Sequence, residues 1–189
     1  MRATIEHGPL PPQLRPWGNL FLHRDPAFFT VTLRDRRATA LVDHIVALRA
    51  AFATAHAERP FTTDAIVILL EHLHALLTLP DGDAAYPARW RRIKSLFTAA
   101  VAKTDLAIRP NVNGRYTLWQ SRYWEHTIRD ADDFARHIDY IHFNPVKHGL
   151  VKSVRDWPHS SFHRFVRQGV LPGDWGTEPA ITATFGERS

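Results

Sequence analysis

The chain has 189 residues, 44% of them hydrophobic and 23% charged, the composition of one ordinary globular domain rather than of a disordered, fibrous or membrane protein. Its longest apolar run, Ala65 to Leu70, falls far short of the roughly 20 residues of a membrane span, and the acidic, proline-bearing N-terminus lacks a signal peptide's apolar stretch, so a cytoplasmic protein without a membrane partner is expected. Zero cysteines exclude disulfides, thiolate metal sites and cysteine nucleophiles; 24 Lys plus Arg against 19 Asp plus Glu, all but four of the cations being Arg, favour a polyanionic partner.

Residues 1–25 hold Pro9, Pro11, Pro12 and Pro16 and read as an extended arm. The β-branched and aromatic run Phe28 to Leu33 predicts a first strand that ends at the charged turn Arg34-Asp35-Arg36-Arg37. From Leu41 to Ala57, Leu41, Ile45, Leu48, Phe52 and Ala55 recur at helical spacing, and Pro60 marks the stop. Thr62 to Leu70 and His72 to Leu79 predict two strands joined near Leu70 and Glu71.

Pro87 to Lys103 predicts a second helix with Trp90, Ile93, Leu96, Phe97 and Ala100 on one face. Asn113-Gly114 offers hairpin turn chemistry, and a fourth strand fits Tyr123 to Ile128. Asp130 can cap a third helix with the apolar stripe Phe134, Ile138, Ile141; Pro145 pushes Asn144 out of the helical region, so this helix is expected to end there or restart, with Gly149 closing the turn. The order βαββαβα in an α+β domain, helices on one face of a small antiparallel sheet, is a ferredoxin-like pattern. Residues 26–152 then form the domain, and 153–189 a basic and aromatic extension.

His72-Leu73-His74 lies in the third strand, whose period of two sends both imidazoles to one face, a ready two-ligand metal site. A chain with twelve His produces such pairs by chance, and two His on a polar sheet face fit the spacing equally well. On the third helix, Asp133, His137, Tyr140 and Asn144 share one stripe beside the apolar one, where a tyrosine with a buried ring and wet hydroxyl is the ordinary outcome. Arg89, Arg91, Arg92 and Lys94, with Trp90 among them, fit either a track for a nucleic-acid backbone or a solvated helix face over a core tryptophan. Strand alternation turns Glu71 away from the His pair.

Several blocks carry a resemblance. The stretches Ile66 to Pro80 with Glu71-His72-Leu73-His74, Trp119 to Arg129 with Trp124-Glu125-His126, and Asp139 to Val151 with Tyr140, Asn144-Pro145 and Lys147-His148-Gly149 resemble the REP-associated tyrosine transposases, relatives of the single-tyrosine HUH transposases. The block from Asp156 to Arg164 does so too, and the likeness runs from about Phe28 to Trp175; Leu70 departs from it, since relatives commonly place proline there.

The resemblance implies that His72 and His74 bind a divalent metal, Mg²⁺ or Mn²⁺, with Asn144 as third ligand, and that Tyr140 is the nucleophile. It implies a bacterial, nucleoid-associated enzyme that nicks and rejoins single-stranded, hairpin-forming repeat DNA through a 5′-phosphotyrosine, with no small-molecule cofactor. Arg89, Arg91, Arg92, Lys94, Arg122 and Lys147 are the expected DNA contacts. A non-catalytic nucleic-acid-binding protein on the same fold and a metal-dependent hydrolase using water are the rivals, and the chain fits a monomer or a dimer.

Overall fold

A computed structural model describes residues 26–104 and 117–176. The proline-bearing arm, the Asn113-Gly114 turn and residues 177–189 lie outside the described residues. The elements are β1 (Ala27–Thr32), α1 (Ala40–Asp43), α2 (Ile45–Glu58), β2 (Thr62–Ile68), β3 (His72–Thr78), α3 (Tyr86–Thr104), β4 (Trp124–Thr127), α4 (Ala131–Lys147), a 3-10 turn (Val154–Asp156) and α5 (Phe162–Arg167). The sheet has the order β2-β3-β1-β4 with every neighbouring pair antiparallel, the ferredoxin-like arrangement expected from the element order.

All seven positions of β3 are buried, so the sheet is covered on both faces rather than one. Ala27, Phe29, Val31, Leu33, Leu73, Ala75 and Leu77 point to one side, where they pack with Leu48 and Ala55 of α2 and with Trp90, Ile93, Phe97 and Val101 of α3. Phe28, Leu76, Ala65 and Val67 point to the other, against Phe134, Ile138 and Ile141 of α4. The expectation of helices on a single face is therefore corrected: α2 and α3 share one face, and α4 crosses to the opposite one. A strand reading His-Leu-His-Ala-Leu-Leu-Thr buries apolar side chains in both directions, and each face needs a helix over it.

Two helix boundaries also differ. The predicted helix over 41–57 breaks at His44 into α1 and α2, and the first turn is tied to the β2–β3 connection by the Leu41 N–H donating to the Leu70 carbonyl at 3.3 Å. The third helix runs through Pro145 to Lys147 instead of stopping at Asn144. Pro145 forfeits one backbone bond close to a terminus, and its ring is buried, so packing outweighs the local preference. The end itself is a Schellman closure: Leu150 N–H reaches the Pro145 carbonyl at 2.9 Å, Gly149 N–H reaches Val146 at 2.9 Å, and Gly149 takes a φ of 68°.

The segment assigned to an extension beyond residue 152 packs into the second core. Trp157, Phe162, Phe165 and Leu171 are buried with α4, the Trp157 Nε1–H donates to the Ile68 carbonyl at 2.9 Å, and Ser160 bridges to Val67. Among the described residues, no helix is long and apolar enough to cross a membrane.

Candidate active site

The β1–β3 register sets Thr30 opposite His74 and Thr32 opposite His72. Both imidazoles emerge on the α4 face with ring centroids 4.9 Å apart, as the strand period requires, and Leu73 enters the opposite core. They are not on an open surface: His72 is 3% exposed and His74 fully buried. Each ring is fixed through Nδ1, His74 by the Thr30 hydroxyl and His72 by the Glu71 carboxylate, both at 2.9 Å. This corrects the expectation that Glu71 points away. Glu71 lies in the turn before β3, where strand alternation does not apply, and its backbone can send the carboxylate alongside the neighbouring ring. Burial works to raise the Glu71 pKa, but the hydrogen bond and charge of His72 outweigh it and hold the carboxyl below its usual range.

Helix α4 begins with Asp130 as its cap, the side chain accepting from the Asp133 N–H at 2.7 Å. Its stripe of Asp133, His137, Tyr140 and Asn144 is buried against the sheet. Tyr140, 3% exposed, sets its ring centroid 5.1 Å from that of His74 and 5.9 Å from that of Phe28. Two turns later the exposed His148 ring meets His72 at 5.2 Å. Buried Asn144 stands between Tyr140 and His148 along this stripe, one turn from each.

The polar atoms left over are informative. His72 Nε2, Asn144 Oδ1 and Asn144 Nδ2 are buried and have no hydrogen-bond partner, an arrangement that costs free energy unless a ligand satisfies it. His72 and His74 with the Asn144 amide oxygen are donors that could hold a divalent cation, and the Glu71 and Thr30 bonds fix the orientation of the two rings.

Lys147, exposed at the end of α4, donates to the Tyr140 hydroxyl at 3.4 Å, its Nζ 4.8 Å from the ring centroid. The helix thereby brings a cation to the phenolic oxygen from two turns away.

A second group lies beside this one. His126, Asp133 and His137 present ligand atoms within 4.8 Å of one another and could hold a metal ion. Asp133 also organises a hydrogen-bond network: its Oδ2 accepts from His126 Nε2 at 2.8 Å and from the Arg129 N–H at 3.1 Å. Burial works to raise the Asp133 pKa, but these bonds and the two neighbouring imidazoles prevail and lower it. Burial likewise lowers the His137 pKa.

The basic segment of α3 is elsewhere. Arg89 is 2% exposed and clamps Asp83 with Nη1 and Nη2 at 2.9 and 2.6 Å, while Nη2 also donates to the Pro60 carbonyl at 3.0 Å. It closes the loop before α3, and its assignment as a DNA contact is corrected. Arg92 forks onto Glu58 of α2, and Lys94, half-buried, donates to the Gln120 carbonyl at 3.1 Å. Desolvation lowers the Lys94 pKa. Arg91 is exposed, but all four belong to the helix on the far side of the sheet from Tyr140, and Trp90 is core. Arg122 is exposed just before β4.

The chain is 47% identical over 148 residues to the REP-associated tyrosine transposase of Escherichia coli, covering 78% of this chain and 82% of that protein. A Haemophilus influenzae relative with the same family name is 44% identical over 157 residues, 82% of this chain and 89% of its own length. The chain belongs to the REP-associated tyrosine transposases. No family model matches it. A solved REP-associated tyrosine transposase, bound to a REP hairpin, superimposes with a TM-score of 0.75 at 44% identity, over 87% of this chain and 92% of that one.

Sequence reasoning missed Glu71, Thr30, His148 and Phe28 at the site. His148 was within reach, since it continues the Tyr140 and Asn144 stripe by one further turn. Thr30 and Phe28 needed the β1–β3 register, which no single strand reveals.

Proposed function

We propose that this transposase nicks and rejoins one strand of hairpin-forming repeat DNA, with Tyr140 as nucleophile and a divalent metal, Mg²⁺ or Mn²⁺, held by His72, His74 and Asn144. The observation that carries the reading is the convergence of Tyr140 on the His pair: the phenol ring from α4 lies 5.1 Å from His74, whose ring is 4.9 Å from His72, and the buried His72 Nε2 and Asn144 amide beside them lack partners. The solved relative's hairpin supports the substrate class.

Each residue has work to do. The Tyr140 oxygen attacks the phosphorus of a DNA phosphodiester, forming the tyrosyl O–P bond as the P–O3′ bond breaks. The phenolic proton is released and one is taken up by the departing 3′-oxygen, so the strand ends as a 3′-hydroxyl and a 5′-phosphotyrosine that conserves the bond for rejoining. Lys147, 3.4 Å from the phenolic oxygen, stabilises the negative charge that attack requires and is placed to meet the incoming phosphate. Glu71 and Thr30 keep the two imidazoles in the orientation that leaves each Nε2 facing inward. A bound metal would polarise a phosphoryl oxygen and neutralise charge on the phosphate. Buried Phe28 and the ring of Tyr140 pack against His74, and these apolar surroundings strengthen its electrostatic contacts.

The test is a nicking assay on single-stranded repeat hairpin DNA with Mn²⁺. Wild type is expected to cleave, and Tyr140→Phe to bind without cleaving. Cleavage by the phenylalanine variant would make water the nucleophile and overturn the reading.

A further inference from the structure

The edge strand β4 carries a feature that the cleavage chemistry does not use. Trp124 is 45% exposed, one of two large hydrophobic side chains left open to solvent among the described residues. Its position is tied to the candidate active site. The β1–β4 register pairs Trp124 with Thr30, the residue whose hydroxyl holds His74, and strand alternation puts Trp124 and His126 on the α4 face while Glu125 goes to the other.

The indole heads a built stack of flat rings. Trp124 lies parallel to His126, 4° between planes at 5.8 Å, and His126 lies against His137, 17° at 4.9 Å. Asp133 fixes this stack by holding His126 Nε2 and sitting 3.3 Å from His137 Nδ1. Phe28 joins it to the nucleophile, its ring 5.6 Å from Trp124, 4.7 Å from His137 and 5.9 Å from Tyr140. Arg136, 57% exposed and 3.5 Å from Asp133, and Lys147 supply cations on the same helix. An exposed indole immobilised on one side, with cations on the helix packed behind it, suits an unpaired nucleobase on a phosphate backbone, because every base offers a face for stacking whatever its sequence.

We infer that Trp124 is the stacking platform for an unpaired nucleobase next to the phosphate presented to Tyr140, which makes it a positioning residue for the single strand. This rests on the proposed DNA reading. It assigns to the His126–Asp133–His137 group, half-buried at His126 and buried at the other two, the task of holding the platform rigid, so that ordering entropy is spent before DNA arrives.

The test pairs Trp124→Ala with single-stranded oligonucleotides in which each nucleotide in turn is replaced by an abasic site. Wild type is expected to lose roughly tenfold in affinity at one abasic position. Trp124→Ala should lose the same factor on the intact strand and no more at that position, and Trp124→Phe should recover part of it. Quenching of indole fluorescence on binding, present in wild type and reduced in Trp124→Phe, is an independent readout that does not depend on how well the alanine variant folds. Undiminished affinity of Trp124→Ala for the intact strand, or quenching equal in wild type and Trp124→Phe, would overturn the inference while leaving the Tyr140 chemistry standing. Failure of wild type to bind any of the strands would instead overturn the DNA reading itself.

Discussion

Replacing His142 with glutamine should flatten the acid dependence of stability. His142 sits on α4 on the side away from the sheet histidines, fully buried, with Nε2 sharing a 2.9 Å hydrogen bond with the Ser161 hydroxyl, which also accepts the Ile66 N–H. Phe162, Phe165 and Trp175 surround its ring, and burial, reinforced by the charges of Arg164 and His163, lowers its pKa from 6.5 to about 3. The folded protein therefore keeps this imidazole neutral where the unfolded chain protonates it, and stability is lost as pH falls below the unfolded value toward the folded one. Between pH 7 and pH 4 the unfolded state gains nearly one proton that the folded state refuses, which at 1.36 kcal/mol per unit amounts to about 3 kcal/mol. For a domain of this size that is on the order of 10 °C in melting temperature. The assay is thermal melting with a chelator present, in wild type and His142→Gln, across that range. The variant starts lower at pH 7 but should lose about 3 kcal/mol less on acidification. Parallel losses in the two proteins would refute the reasoning and mean that another group carries the acid sensitivity.

Glu71→Gln should raise the metal concentration needed for cleavage by roughly 10- to 100-fold with an unchanged melt, because it weakens the partner that orients His72; an unchanged metal titration would remove Glu71 from the site. Arg89→Met should lower the melting temperature and leave DNA affinity at the folded protein's level, whereas Lys147→Met should do the reverse, as filter binding and melting on the same samples will report. Asp130→Ala should destabilise the protein by about 1 kcal/mol through loss of the α4 cap, measured by denaturant titration.

The strands, their order and the capped third helix were legible because periodicity and turn chemistry are local. Phe28 to Leu33, the two strands around Glu71 and the Asp130 cap all rest on residues within a few positions of one another. What escaped was settled at a distance. Arg89 looked like a solvated cation until Asp83 and the Pro60 carbonyl closed around it, and Pro145 looked like a stop until burial carried the helix past it. The side of the sheet on which α4 lies was decided by a β3 that is apolar in both directions, a pattern with no amphipathic signal to read. Glu71 was misjudged by one residue of strand boundary, enough to invert its direction. Tyr140, His72, His74 and Asn144 were nominated by resemblance and by helix and strand spacing, but only the folded register shows the phenol against the His74 imidazole.

Tyr140 is the residue proposed to form the covalent link to DNA. Tyr86 sits in the opposite core and Tyr123 packs against Phe29 there, so neither faces the His pair. The most direct measurement is proteolysis and mass spectrometry of the protein trapped on single-stranded repeat hairpin DNA with Mn²⁺. A nucleotide is expected on the peptide that contains Tyr140, absent in Tyr140→Phe and in the His72→Ala, His74→Ala double variant. Strand cleavage with no nucleotide on any tyrosine, or an adduct mapped to Tyr86, Tyr116 or Tyr123, would contradict it.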